Sequence, residues 1–391
     1  MLKRFLKPVL LLSLIAILVI ILAFRRQANN QLSANLVLPS VSDAAAAGLE
    51  GYAQANGPKD IVFPRDNGPH PDYQTEWWYY TGNLETDQGR HFGYELTFFR
   101  RALLPPSLRP DRESAWASDQ VYLVHLALTD VSGEQFEATE RYSRGALGLA
   151  GASARPYQVW LDNWSVKEAG KNAFHLSAGA NNFNLDLSLV DSKGPVLEGD
   201  HGYSQKGPGA GNASYYISQT RLVTQGTVNL GDQSFAVRGS SWMDHEYSTS
   251  ALAPDQVGWD WFALQLDDGS ELMVYQIRRA DGSVDPFSSG TYIDPSGNVT
   301  HLERTDFDIK VLNTWRSPHS GAVYPSGWSV HVPSLNLSLE IQPYLKDQEL
   351  DLTFKYWEGA VKITGMHQGN PVSGSGYVEL TGYAGSMAGQ F

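Results

Sequence analysis

Three ionisable residues stand in a row at Asp244-His245-Glu246, inside the run Ser241-Trp242-Met243-Asp244-His245-Glu246-Tyr247. On a β-strand successive side chains face opposite ways. Trp242, Asp244 and Glu246 then share one face, and Met243, His245 and Tyr247 the other. Such groups are costly to bury unless they are hydrogen-bonded or paired. Two roles fit. One is an acid/base group at a ligand cavity, with burial tuning its pKa. The other is a polar latch, with Asp244 or Glu246 bonded to loop backbone or to an arginine. Three consecutive strand residues cannot converge on one ion, and no His-Glu-x-x-His occurs, so no metal site is expected. No phosphate-binding glycine loop, dinucleotide fingerprint or Gly-x-Ser-x-Gly elbow is present, and no cofactor is expected.

Aromatic residues accompany these groups. In Glu76-Trp77-Trp78-Tyr79-Tyr80-Thr81-Gly82-Asn83-Leu84, alternation puts Glu76, Trp78 and Tyr80 on one face, joining a carboxylate to two rings. Trp259 and Trp261 recur in Gly258-Trp259-Asp260-Trp261-Phe262-Ala263-Leu264-Gln265-Leu266, and Tyr275 lies on the next run. These rings either fill a barrel core or wall a cavity for a long apolar or polyene ligand. His125 sits in a strand that is apolar on both faces, as a hydrogen-bonded core histidine or as a further ligand contact. The candidate ligand-binding set is Glu76, Trp78, Tyr80, His125, Tyr247, Trp259, Trp261 and Tyr275.

The elements that position these residues repeat. Each aromatic run reaches an acidic turn with a glycine, Asp87-Gln88-Gly89 or Asp267-Asp268-Gly269, and the strand after it ends in paired arginines, Arg100-Arg101 or Arg278-Arg279. Two copies of one aromatic-rich β unit suggest a duplicated barrel whose interior could hold an apolar ligand. Alternation such as Asn182-Phe183-Asn184-Leu185-Asp186-Leu187-Ser188-Leu189 dominates, helical periodicity is nearly absent, and 37 glycines and 20 prolines punctuate many short strands. The expected fold class is all-β and antiparallel, with closed barrels that leave no sheet edge.

The chain has 391 residues, no cysteine and a formal net charge of -13. Disulfides and cysteine-zinc sites are excluded, and the acidic balance argues against a nucleic-acid partner. Pro8 to Phe24 is a nearly continuous apolar run flanked by Lys3, Arg4, Lys7, Arg25 and Arg26. It reads as a signal-anchor over 1–26, with a cleaved signal peptide as the alternative. Residues 27–57 have a tether composition, and the repeat divides the rest into 58–235 and 236–391. The expected location is the inner membrane facing the periplasm, or a secreted form if the segment is cleaved.

Several motifs then carry a family resemblance. Glu76-Trp77-Trp78-Tyr79, Tyr94-Glu95-Leu96-Thr97-Phe98-Phe99-Arg100, His125-Leu126-Ala127-Leu128-Thr129-Asp130, Gly211-Asn212-Ala213-Ser214-Tyr215-Tyr216, Ser241 to Tyr247 and Gly376 to Tyr383 resemble, in order, the AttH-like lipocalin-like proteins grouped with the carotenoid 1,2-hydratases (hydroxyneurosporene synthases). The resemblance implies two tandem lipocalin-like barrels and a hydrophobic ligand, a lipid or isoprenoid, and the expected place for it is a cavity near the domain junction. In the hydratases an acidic residue protonates a terminal isoprenoid double bond and water captures the cation. On that reading Asp244 or Glu246 would be the proton donor, its pKa raised by burial, His245 would orient or relay, and the tryptophans would shield the cation through their π faces. Asp244-His245 is similar to the His-containing motif of that site, but Glu246-Tyr247 departs from the Asn-Trp of the pattern. Ile277 stands where an aspartate would follow Tyr275. The resemblance also implies an alternative, a non-enzymatic lipid carrier or an accessory of an ABC-type exporter partnered with its permease. A purely structural envelope protein would have filled barrels and no cavity.

Overall fold

Alternating sequence and frequent turns produce strands almost throughout the computed structural model, which describes residues 50–387 apart from 112, 181, 250 and 251. The expected anchor, and the tether up to residue 49, lie outside the described residues. Among the described residues no helix is long and apolar enough to cross a membrane.

The first sheet has thirteen strands. They are β1 (Thr75–Glu85), β2 (His91–Ala102), β3 (Gln120–Asp130), β4 (Gln135–Arg144), β5 (Ala150–Ala154), β6 (Tyr157–Leu161), β7 (Trp164–Gly170), β8 (Ala173–Gly179), β9 (Phe183–Asp191), β10 (Val196–Leu197), β11 (Tyr203–Gln205), β12 (Ala213–Leu230) and β13 (Gln233–Ser248). The second, ten-stranded sheet uses β14 (Gln256–Leu266), β15 (Glu271–Arg279), β16 (Ser289–Ile293), β17 (Val299–Glu303) and β18 (Asp308–Val311). After a small ribbon of β19 (Thr314–Arg316) and β20 (Val323–Pro325), it continues with β21 (Trp328–Val332), β22 (Leu337–Pro343), β23 (Glu349–Asp351), β24 (Lys355–His367) and β25 (Asn370–Leu380).

The duplication is visible in the strand orders. The first sheet runs β4-β3-β2-β1-β13-β12-β9 and onward, and the second β17-β16-β15-β14-β25-β24-β22 and onward. In each, an opening meander is closed by the last strands returning to its first strand. Each sheet is a nearly closed barrel. In the first, Arg141 on β4 reaches the far edge, donating to Asn163 Oδ1 at 2.6 Å with its guanidinium 4.1 Å from the Trp164 ring centroid. The change of sheet comes between β13 and β14. That is C-terminal to the 235/236 boundary read from the repeat, because β13 pairs with β1 and β12 along its length.

Inward-facing side chains fill both barrels. Trp78, Tyr80, Phe92, Tyr94, Phe98 and Trp164 are buried in the first, and Phe262, Trp328 and Trp357 in the second. The barrel interiors, which the repeat suggested could hold an apolar ligand, are therefore filled, and the space is at the domain junction. There the outer faces of the barrels meet through Tyr79, Tyr216 and Trp242 on one side and Trp261, Met273, Tyr275 and Tyr377 on the other. A β-carbon at Gly93 would stand 2.5 Å from that of Ala360, so glycine lets β2 and β24 approach across this junction.

Candidate functional site

Strand parity decides what reaches the junction. Tyr79 pairs with Asp244 and with Thr97, and Trp77 with Glu246 and with Phe99. All six project from the outer face of the first barrel. Opposite them, Trp261 pairs with both Tyr275 and Glu379, and Glu379 with Glu358. Between the two faces lies a cavity of about 90 Å³. Its wall includes these residues together with Trp259, Tyr356, Tyr216 and Lys206.

Asp244 is the most heavily bonded carboxyl in the wall. Tyr216 donates to Oδ2 at 2.5 Å, while Ser218 at 2.5 Å and the Trp242 indole at 2.7 Å donate to Oδ1. Trp261 in turn donates to the Tyr216 hydroxyl at 2.9 Å, which links the second barrel to this group. Burial pushes the Asp244 pKa up to about 7 against these donors. Glu246 lies beside Lys206 Nζ at 3.5 Å.

Glu358 and Glu379 are among the wall residues that the sequence reading missed. Burial raises Glu379 to about 7, and burial together with the charges of Glu379 and Glu95 holds Glu358 well above the usual carboxylate range. Glu358 accepts a hydrogen bond from Tyr79 through one oxygen, and its other oxygen is buried without a hydrogen-bond partner. Beneath Thr97, Glu95 is raised by burial to about 8, and behind Asp244, Glu198 likewise to about 8. A signal for the wall glutamates exists in the sequence. Tyr356-Trp357-Glu358-Gly359-Ala360-Val361 and Gly376-Tyr377-Val378-Glu379-Leu380 are apolar on both faces, so a lone glutamate in either is buried.

These groups set a pH dependence. A carboxyl raised on folding contributes stability that is complete below its unfolded pKa and is lost as pH rises through its folded value. Burial lowers His91, His125 and His245 instead, and the unfolded chain goes on releasing those protons up to about pH 7.5, which opposes the fall until then. Between about pH 7.5 and about pH 8.5 the raised carboxyls therefore dominate, and the melting temperature should fall. Glu95→Gln should flatten that fall. A melting temperature that is flat or rising across this window would contradict the protonated state of the cluster.

Several candidate residues lie elsewhere. Glu76, Trp78, Tyr80, His245 and Tyr247 occupy the opposite parity and do not reach the cavity. His245 Nε2 meets Glu76 Oε1 at 2.8 Å, and its ring stacks on Trp78 at 4.9 Å. Glu76 also takes the Arg100 guanidinium at 2.8 Å and His70 Nδ1 at 2.9 Å. Burial opposes its ionisation, but Arg100, His245 and His70 hold its carboxyl far below the usual range. His245 is thus a structural partner of Glu76 and neither orients nor relays at the junction. His125 is one layer back, with Nδ1 2.7 Å from the Tyr356 hydroxyl. Asp244, Glu246, Trp259, Trp261 and Tyr275 do line the cavity.

Ligand atoms of His70, Glu76 and His245 lie within 4.8 Å of one another. Of the three consecutive residues at 244–246 only His245 takes part. Arg100 already neutralises this carboxylate, so the donor set does not suit a divalent cation.

The model of the AttH-like family matches residues 54–383. A crystal structure of an AttH protein from Nitrosomonas europaea shares 36% identity, with a TM-score of 0.75, covering 85% of this chain and 99% of that one. Kievitone hydratase from Nectria haematococca shares the fold at 15% identity and TM-score 0.64, covering 85% of this chain and 96% of that one. CghA, solved with Sch210972, is similar at 12% identity and TM-score 0.50, with 86% and 98% covered. No curated protein matches the chain.

Proposed function

The chain belongs to the AttH-like family, and from that premise we propose that it binds the unsaturated end of a lipid or isoprenoid at the barrel junction and adds water to a double bond there. One observation carries the reading. Buried carboxyls with raised pKa, Glu358 and Glu379 among them, line an aromatic-walled cavity whose one lining cation, Lys206, sits beside Glu246. Such carboxyls hold their protons near neutral pH, as a general acid must. The fold shared with a protein named as a hydratase agrees with this reading.

The chemistry balances. The alkene π electrons take a proton from a wall carboxylic acid to form a C–H bond. The adjacent carbon becomes cationic beside the ring faces of Trp259 and Trp261. A water oxygen bonds to that carbon, and a water proton passes to a carboxylate such as Asp244. Exchange with solvent restores both groups. A cavity of about 90 Å³ is far smaller than the roughly 300–1,000 Å³ of sites that enclose a whole drug-sized ligand, so the ligand enters by one end.

A second reading, a carrier that binds without turnover, draws on the three hydrogen bonds that already engage both oxygens of Asp244. In that case an exporter's permease would be the partner, and the expected anchor would hold the barrels on the periplasmic side of the inner membrane. Both readings require ligand entry. Trp77, Trp259 and Trp261 line the cavity, so an isoprenoid alkene should shift the tryptophan emission to shorter wavelength. Thr97→Trp fills the space and should abolish the shift. An equal shift in Thr97→Trp would place binding elsewhere.

A further inference from the structure

We infer that the junction cavity is built to receive a positively charged centre carried on an apolar chain, an ammonium end group or its carbocation counterpart. The inference rests on the reading of this cavity as the ligand site. Ring faces make the first argument. Trp77, Tyr79, Trp259, Trp261, Tyr275 and Tyr356 contribute to the wall. The cavity already shows how it holds a cation, because Lys206 Nζ lies 4.1 Å from the Tyr275 ring centroid and 5.1 Å from that of Tyr216. Aromatic walls that exclude water are favourable surroundings for alkylated ammonium groups.

Charge makes the second argument. Asp244, Glu246, Glu358 and Glu379 stand in the wall against the single lysine, itself 3.5 Å from Glu246. Glu358 is wholly buried, and its unpartnered oxygen belongs to a residue of that wall. The groups acting on its charge come from four strands. They are Tyr79 of β1, Glu95 of β2, Tyr356 of its own strand, and Tyr377 and Glu379 of β25. His125 and Glu140 lie beyond Tyr356. None of these supplies a fixed positive charge to Glu358. A proton therefore takes that place in the empty cavity, and an arriving cation should displace it. A neutral chain would leave the proton where it is, and an anion would be repelled.

The test is isothermal titration of the full chain near neutral pH with hexyltrimethylammonium and with its neutral isostere, in which carbon replaces nitrogen. Each titration is run in buffers of different ionisation heat, which reveals proton release. The ammonium should bind more tightly by a factor on the order of thirty and release protons to the buffer, and the isostere should bind without release. Glu358→Gln should reduce the release while leaving binding of the isostere in place. The wild-type proton count decides the matter even if that variant folds poorly. Equal affinities, or ammonium binding with no proton released, would overturn the inference while leaving an apolar ligand site intact. Binding of neither probe would overturn both.

Discussion

Replacing Arg100 by methionine should cost about 3–5 kcal/mol of folding stability at neutral pH, the range seen when one partner of a buried ion pair is removed. Arg100 and Glu76 are 2% and 0% exposed, and their atoms meet at 2.8 Å. The guanidinium also donates to the carbonyls of His70 and Tyr73 and to Gln120, so one side chain ties the segment before β1 to β2 and β3. Methionine fills comparable volume but leaves the Glu76 carboxylate with histidine and backbone donors only. The sign with pH is specific. The Glu76 pKa is depressed in the folded chain, so its contribution is present above the ordinary carboxylate range and fades on acidification. The penalty of Arg100→Met should therefore be largest near neutral pH and shrink toward about pH 2, below the ordinary carboxylate range. Adding Glu76→Leu to Arg100→Met should recover part of the loss. Denaturant unfolding at the two pH values measures this, and a neutral-pH loss below about 1 kcal/mol would show that the pair is no more than a surface-like contact.

Much of the architecture was legible because it follows from period-two alternation and from the repeat. Acidic turns and paired arginines marked equivalent hairpins, and the structure carries the equivalence further. The buried pair of Glu76 with Arg100 is matched in the second barrel by Asp260 with Arg278 at 2.9 Å. Parity within β13 was also readable, since Asp244 and Glu246 do share the cavity face. What alternation cannot give is which face of a doubly buried strand points into its own barrel. Trp77 and Trp78 look alike in sequence, yet Trp78 packs in the core with Tyr80 while Trp77 and Tyr79 face the other barrel. Both faces are apolar because both are covered, so hydrophobicity cannot decide between them. The error at His245 has the same origin. Lys206 was missed for another reason. It comes from a Gly-rich loop after β11, and only the folded chain shows it beside Glu246.

The wall carboxyls should carry the largest functional effect. Glu358→Gln keeps an acceptor for Tyr79 but cannot donate a proton with the strength of a carboxylic acid, and turnover should fall by about 10²–10⁴-fold. Asp244→Asn should lose activity too. Its amide would meet the Tyr216 hydroxyl that now donates to Oδ2, so folding is checked alongside. A folded, inactive Asp244→Asn supports a role in chemistry, and an unfolded one assigns Asp244 to the latch. Native mass spectrometry of the full chain, incubated with an envelope lipid extract, tests the central claim most directly. The wild-type protein should retain an apolar species and yield its counterpart heavier by one water, while Glu358→Gln retains the species unchanged. A species held unchanged by both proteins would contradict hydration and leave a carrier, and no retained species in either would contradict the junction as a ligand site.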